Sequence, residues 1–516
     1  MPDASASRRP VRPNRPQLLT YPDSVGGTLR DLVELLRGPL DGMFDGVHVL
    51  PPFPASGDRG FAPLTYDRIE PRFGTWADIE DLATSHAVVL DVMVNHISRH
   101  SPEFQALIRN GLRSRTADLF LTPEKVWPGG TPPAGDLDRL FLRRSAGPFS
   151  TITTDGGEQI TVWTTFGEGP VSEQIDLDLR SGAGRSLVLQ WLAGLASHGV
   201  SMVRLDAVGY VAKRAGTSCF MVEPDTSEFL EWITTAAGTY GLEVLPEVHD
   251  VPSTHERLTA NGYWTYDFLL PGLVLHALMS GEAERLAAHL ETSPPRQVTT
   301  LDSHDGIPIR PDVEGVLTAD EMRAMGDRII ANGGNINPIL SSAHAPDGVD
   351  IHQLNVTYFS ALGGDEDRYV TARAIQLFAR GIPQIYYAGL LAARNDEQAV
   401  VETGEGRSIN RPNYTGPDIR AALDRQVVRR VSSLVRLRNV HPAFDGDLTV
   451  AADDHTLRMR WELGESSCEL AADLVAGTCR VRATEVDGAW HDGAASPLRL
   501  TGGPPRDPAL LPTPPG

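Results

Sequence analysis

The sequence predicts an α/β fold built as a (β/α) barrel, with its active site at the C-terminal ends of parallel strands. Three observations point to it. The run Val88-Val89-Leu90-Asp91-Val92-Met93-Val94 is nearly all apolar, as in a strand covered on both faces of a parallel sheet. The stretch Val203-Arg204-Leu205-Asp206-Ala207-Val208-Gly209-Tyr210 reads as a buried strand that ends on charge. A helical pattern precedes it, with Val188, Trp191, Leu192 and Leu195 at i, i+3, i+4 and i+7 and Gly199 closing the run. Helix, strand, then a carboxylate at the strand's end is the layout of a barrel active site.

In chain order, residues 1–17 are charged and proline-rich without an apolar core, and are expected to form a disordered arm rather than a secretory signal. Leu29, Leu32, Val33 and Leu36 form a helical stripe that stops at Gly38-Pro39, and the strand Gly46-Val47-His48-Val49-Leu50 follows. A helix near Asp78–Ala83 leads into the 88–94 strand. Periodicity weakens over 99–180, which is too long for a loop and reads as an inserted subdomain. Alternation resumes with the helix marked by Phe229, Leu230, Trp232 and Ile233, the strand Leu242–Glu247 and the strand Val298–Asp302. A second irregular insertion covers 307–364. The stripe Val370, Ala374, Leu377, Phe378 and the strand Ile382–Tyr387 then complete a barrel spread over 18–98, 181–306 and 365–441. Leu457, Met459 and Trp461 alternate with charged residues, so 442–502 is expected to be a small β domain. Residues 503–516 are a proline-rich tail.

The 516 residues carry a formal net charge of -21, which argues against nucleic acid or an anionic membrane as main partner. An anionic substrate would therefore need a local basic pocket. No apolar run is long enough to span a bilayer. The cysteines Cys219, Cys468 and Cys479 are too scattered for a disulfide framework or a thiolate metal site, which suits a reducing, cytoplasmic setting.

Polar side chains recur at the predicted strand ends: Asp91 with Asn95 and His96, Arg204 with Asp206, Glu247 with His249, and His304 with Asp305. Each alone has a structural explanation. His96 could be a hydrogen-bonded core histidine, Asp91 a buried acceptor, Glu247 and Asp305 loop carboxylates. Together they match the way barrel enzymes draw one site from several strands.

The motifs DVMVNH, VRLDAVGY, LPEVHD and LDSHDG resemble the four sequence regions of the α-amylase superfamily. Gly216-Thr217-Ser218-Cys219-Phe220, QLNVTYFSALG, GIPQIYYAGLLAARND and GRSINRPNY are similar to the sucrose phosphorylase group within it. The resemblance implies a (β/α)8 barrel with inserted subdomains B and B′ and a β-rich C-terminal domain. It implies a retaining double displacement in which Asp206 is the nucleophile, Glu247 the acid/base and Asp305 the transition-state stabiliser. Such a mechanism needs two carboxyls about 5–5.5 Å apart, with Asp206 kept ionised by Arg204 and Glu247 starting protonated. Asp58, Phe61, His96, His304 and Arg407 match positions that hold the glucosyl ring; Gln174 and Tyr210 are further candidates for that pocket. No metal or organic cofactor is implied. Asn95 matches a position where some amylases bind calcium, which the phosphorylase group does not share.

The acceptor side departs from plain sucrose phosphorylases. Arg143 stands where those carry proline, and His352 where they carry tyrosine. Both changes add potential positive charge, as a phosphate on the acceptor sugar would require. The pair is similar to that of group members acting on a phosphorylated fructose. Arg144 and His249 match positions that receive inorganic phosphate, and Asp350 and Gln353 lie in the second acceptor loop. The implied reaction is sucrose 6′-phosphate plus phosphate giving α-glucose 1-phosphate and fructose 6-phosphate. Fructose or glycerate as acceptor, a phosphate-independent glucosidase or transglucosidase, and a non-catalytic binding barrel remain open at this point. Association as a homodimer is likewise open.

Overall fold

The computed structural model describes residues 8–167, 169–340, 349–484 and 490–492. Its centre is a sheet of eight parallel strands: β1 (Gln17–Thr20), β2 (Gly46–Val49), β3 (Ala87–Met93), β4 (Val200–Asp206), β5 (Glu243–Pro246), β6 (Thr265–Asp267), β7 (Gln297–Thr299) and β8 (Ile382–Tyr386). They are hydrogen-bonded in the order β6-β7-β8-β1-β2-β3-β4-β5, so the sheet curls into a nearly closed barrel. Every residue of β3 is buried, because helices cover its outer face and the barrel interior its inner one. Six of these strands are expected from the sequence, and β1 and β6 are not.

The helices follow from stripe and cap. Leu29–Arg37 buries Leu29, Leu32, Val33 and Leu36, and the Thr28 side chain accepts from the Asp31 N–H at its start. Gly182–Ser197 buries Val188, Trp191, Leu192 and Leu195 behind β4, with Ser181 capping Gly184. Each such leucine contributes about 1.5–3 kcal/mol of burial, so the helix before the site is firmly seated.

The segment expected to be irregular between β3 and β4 contains an antiparallel hairpin, Phe149–Thr153 with Gln159–Trp163. It also contains the strand Gln174–Asp176, which pairs antiparallel with His96–Ser98. That second pairing brings Gln174 back over the C-terminal end of β3. Between β7 and β8, the strands Ile307–Pro308, Ile351–Asn355 and Asn335–Pro338 form a small sheet beside the helix Ala319–Ala331. After the barrel comes an antiparallel sheet starting Asp447–Asp453, Thr456–Leu463, Ser466–Asp473 and Thr478–Thr484. It docks through Trp461, whose indole N–H donates to the Phe378 carbonyl at 2.7 Å.

The expectation of a disordered arm does not hold for residues 8–17. Arg8 donates to the carbonyls of Ala196 (2.9 Å), Tyr240 (2.8 Å) and Gly241 (2.6 Å). These carbonyls lie at two helix C-termini, where a cation is favoured. Arg15 is buried and paired with Asp445. Residues 1–7, the proline-rich tail 503–516 and parts of the regions 307–364 and 442–502 lie outside the described residues. Among the described residues no helix is long and apolar enough to cross a membrane.

Candidate active site

The site is built on one arginine. Register places Arg204 of β4 beside Asp91 of β3, and Asp206 beside Met93. Arg204 Nη1 donates to Asp91 Oδ1 (2.5 Å) and Asp206 Oδ1 (3.1 Å), and its Nη2 lies 2.5 Å from Glu247 Oε1. Asp91 is fixed from behind by His48 of β2, whose Nε2 is 2.9 Å from its Oδ2. The Glu247 N–H donates to the Leu205 carbonyl at 3.0 Å, extending the β4–β5 pairing by one residue. Ala207 takes a left-handed φ of 55°, which turns the chain after Asp206 and points its N–H at Glu247 Oε2 (3.2 Å). Two carboxyls from neighbouring strands thus flank one buried guanidinium.

Their charges are unequal. Burial raises the Asp206 carboxyl well above the usual range, and the negative Glu247 pushes it further. Burial would raise Glu247 too, but Arg204 and then His249 outweigh it and hold Glu247 at about 2. The environment therefore pushes the two carboxyls apart, Asp206 upward and Glu247 downward.

The third carboxylate, Asp305, accepts from Arg407 Nη1 at 2.8 Å and lies 3.2 Å from His304 Nε2 and 3.5 Å from Arg411 Nη2. Against the effect of burial, these partners hold it well below the ordinary carboxylate range. Arg407 Nη2 also donates to Asp58 at 2.9 Å. Asp58 and Arg59 have φ of 46° and 48°, a strained bulge costing on the order of 1–3 kcal/mol per residue. The Arg59 guanidinium offsets this with donors to Asp23, Ser24 and Asn413, 4.0 Å above the Tyr21 ring.

The Phe61 ring stacks on His304 at 4.9 Å. Its carbonyl accepts from His96 Nε2 (2.9 Å) and Gln174 Nε2 (3.1 Å). His96 Nδ1, Gln174 Oε1 and His304 Nδ1 are buried without hydrogen-bond partners among the described residues. Burial keeps His96 below its ordinary range and His304 down at about 4, so both rings are neutral. Three neutral acceptors on one wall suit a ligand rich in hydroxyl donors.

Across from them, Tyr210 packs among Phe141 (6.3 Å), Phe166 (5.0 Å) and Phe220 (4.9 Å). Arg143 lies 6.0 Å over Phe166 and has no carboxylate partner among the described residues. His249 stacks on Phe268 at 4.1 Å, with Nδ1 3.0 Å from Asp312 Oδ2 and Nε2 3.6 Å from Glu247 Oε1. Burial works against its charge, yet Asp312 and Glu247 raise it to about 10. His352 stands edge-on to His249 at 5.8 Å, and its Nδ1 donates to the Arg310 carbonyl at 2.8 Å.

Residues 42–262 match the α-amylase catalytic-domain family. The chain is 46% identical to sucrose 6(F)-phosphate phosphorylase of Thermoanaerobacterium thermosaccharolyticum over 89% of its length and 95% of the relative's. It is 39% identical to the sucrose phosphorylase of Streptococcus mutans, over 84% and 89% of the two chains. The chain belongs to the sucrose phosphorylase group of the α-amylase superfamily. The crystal structure of the sucrose 6F-phosphate phosphorylase from Thermoanaerobacter thermosaccharolyticum superposes with a TM-score of 0.92 at 44% identity, covering 93% of this chain and 98% of that one. The protein is a glycosyltransferase-type phosphorylase.

The short Arg204 contact goes to Glu247, so in this geometry Glu247 is the carboxyl held low and Asp206 the one raised. The structure of the phosphorylase departs from three expectations. Arg144 is not presented to the acceptor. It is buried, and its guanidinium donates to the Gly167 carbonyl (3.2 Å), the Gly169 carbonyl, Thr164 Oγ1 (2.5 Å) and Ser150 Oγ (3.4 Å), tying a loop to the hairpin. His352 adds no charge: burial, then Arg143 and His249, hold it well below its ordinary range. With Nδ1–H spent on Arg310, its Nε2 is an acceptor, not the expected extra donor. Asp350 is exposed, and no described contact joins it to Arg143, His249 or His352. Gln353 is buried and accepts weakly from Asn337 at 3.5 Å.

Other residues of the phosphorylase's site were not anticipated. Arg411 and Asp312 carried no sequence signal. His48 did, as the one polar residue inside an apolar strand. Lys213 is buried, with its ammonium held by Asn95 Oδ1 (3.2 Å), Asp176 Oδ2 (3.1 Å) and the Tyr210 carbonyl. It ties the end of β3, the Gln174–Asp176 strand and the turn after Asp206 into one cluster.

Proposed function

We propose that the enzyme cleaves sucrose 6′-phosphate with inorganic phosphate, releasing fructose 6-phosphate and α-glucose 1-phosphate. The observation that carries this reading is Arg143, a half-buried guanidinium with no carboxylate partner among the described residues, which lines a pocket with Tyr210 and acts electrostatically on His352. An arginine left uncommitted at a pocket rim is a site for an anionic oxygen.

Asp206 attacks the anomeric carbon while Glu247 gives its proton to the departing fructosyl oxygen, forming a β-glucosyl ester. This step requires Glu247 protonated and Asp206 ionised when the donor is bound. In the second half, Glu247 takes the proton of the incoming phosphate, whose oxygen displaces Asp206. His249, positively charged and 3.6 Å from Glu247, lies where it can receive that phosphate. Asp305, Arg407 and Asp58, with the neutral acceptors on His96, His304 and Gln174, hold the glucosyl hydroxyls. Phosphorylated sugars are intracellular metabolites, which fits a cytoplasmic enzyme with free cysteines.

The test is a glucose 1-phosphate release assay on sucrose 6′-phosphate, sucrose and glucosylglycerate, with and without phosphate. The expected result is phosphate-dependent release with sucrose 6′-phosphate giving the highest kcat/KM. Faster release from either other donor, or undiminished donor cleavage without phosphate, overturns the assignment.

A further inference from the structure

We propose that Asp312 is a positioning residue for the phosphate half-reaction: it orients the His249 imidazolium and supplies its counter-charge, so that Nε2–H is aimed at Glu247 and the attacking phosphate. The proposal rests on the phosphorylase reading above and assigns a further residue to it. Asp312 sits in the turn after Ile307–Pro308, pinned by the Val313 N–H to the Ile309 carbonyl at 2.8 Å. It is 1% exposed. Oδ2 meets His249 Nδ1 at 3.0 Å, whereas Oδ1 makes no hydrogen bond among the described residues and lies 3.8 Å from His255 Nε2. Among the described residues, the only hydrogen bond of this buried carboxylate is the one to His249.

The groups facing His249 divide plainly. Glu247 and Asp250 come from its own strand end, Asp312 from the insertion, His255 from the helix Pro252–Ala260 and His352 from the strand Ile351–Asn355; the flat face is Phe268. His255 and His352 are kept neutral by burial, Asp250 faces His255, and Arg143 acts on His352. Two carboxylates therefore hold the cation from its two ring nitrogens. Were His249 neutral with Nδ1–H on Asp312, its Nε2 lone pair would face the phosphate oxygens and repel them. Phosphate must also approach Glu247 when both are anionic, and the imidazolium lies beside that carboxylate. Water carries no charge and needs no such shield. Asp312 thus governs the choice between phosphate and water without touching either.

Asp312→Asn keeps the shape and an acceptor for Nδ1–H while removing the charge. In the full-length enzyme, glucose 1-phosphate and glucose are measured together on the best donor while phosphate and pH are varied. The KM for phosphate is expected to rise about tenfold or more, as for loss of a charge-assisted contact. The ratio of glucose 1-phosphate to glucose should fall with it, and the alkaline limb of phosphorolysis should move to lower pH. A wild-type phosphate KM and pH limb, or equal losses of both products, overturns the proposal. NMR of histidine-labelled protein reads the His249 titration without substrate, and its midpoint should drop by about two pH units or more. An unchanged midpoint overturns the proposal even if no donor is cleaved, whereas a wild type that releases no glucose 1-phosphate sinks only the phosphorylase reading. Should Asp312→Asn not fold, Asp312→Ser leaves room for water and is read the same way.

Discussion

Arg143→Ala separates recognition of the acceptor phosphate from everything else in the site. The side chain has no carboxylate partner among the described residues, so its removal leaves no charge stranded, and its packing on Phe166 is loose at 6.0 Å. What is lost is the contact with an anionic ligand. A hydrogen bond to a charged group is worth about 1.5–3 kcal/mol, and each 1.4 kcal/mol is about tenfold. The expected fall in kcat/KM for sucrose 6′-phosphate is therefore about 10- to 150-fold, with the low end favoured because Arg143 is partly open to solvent. Sucrose lacks the phosphate, so its kcat/KM should change by less than about threefold on the same arithmetic. Arg143→Lys keeps the charge but loses the fork, and should fall between. The assay is initial-rate glucose 1-phosphate release on both donors at saturating inorganic phosphate. Equal losses on the two donors would show that Arg143 supports the fold of the loop and does not read the phosphate.

His352 gives a pH prediction. It is neutral with Nε2 as an acceptor, so binding a phosphate dianion there requires uptake of one proton by the ring or the phosphate. Affinity for fructose 6-phosphate should be full at low pH and weaken by up to about tenfold per unit as pH rises above the second phosphate ionisation, at about 6; titration calorimetry in buffers of different ionisation heat measures the uptake, and zero uptake refutes the tautomer. Asp206→Asn should lower turnover by roughly four orders of magnitude or more, checked by single-turnover kinetics. Glu247→Gln should cost about 10²–10⁴-fold on sucrose donors but far less on glucosyl fluoride, whose leaving group needs no proton. Lys213→Met removes one partner of a buried pair, a change that costs about 3–5 kcal/mol. The low end is expected, because Asp176 keeps the Thr165 N–H (2.8 Å) and hydroxyl (2.6 Å); denaturant unfolding would show it.

The barrel was readable where burial leaves a periodic mark. The runs that became β3 and β4 are long, and the helix before β4 shows its stripe and its stop. β1 and β6 are short and left no such mark. The strand Gln174–Asp176 is equally short, and its partner His96–Ser98 lies far away in sequence, so only folding reveals that the two meet. Asp206, Glu247 and Asp305 were legible because each lies at or just beyond the end of a strand, an arrangement that chance seldom repeats. Lys213, Arg411 and Asp312 stand in no such relation. They are polar residues in loops, and nothing local distinguishes a buried ion pair from a solvated one.

What the sequence by itself determined is the set of groups and the order in which the chain delivers them: the carboxylates at strand ends, the arginine two residues before the nucleophile, and the added Arg143 and His352. Tertiary structure alone decided their charges and their aim. Arg144 and Arg143 are neighbours of one residue type, yet folding spends the first on loop carbonyls and leaves the second facing the pocket. Glu247 and Asp206 are both acids, yet the short contact from Arg204 holds one low while burial raises the other. A side chain's type fixes what it can donate, accept or ionise. Distance and burial fix which of these it does, because electrostatic energy depends on separation and on the polarity of the surroundings, and both are set by parts of the chain far from the residue itself.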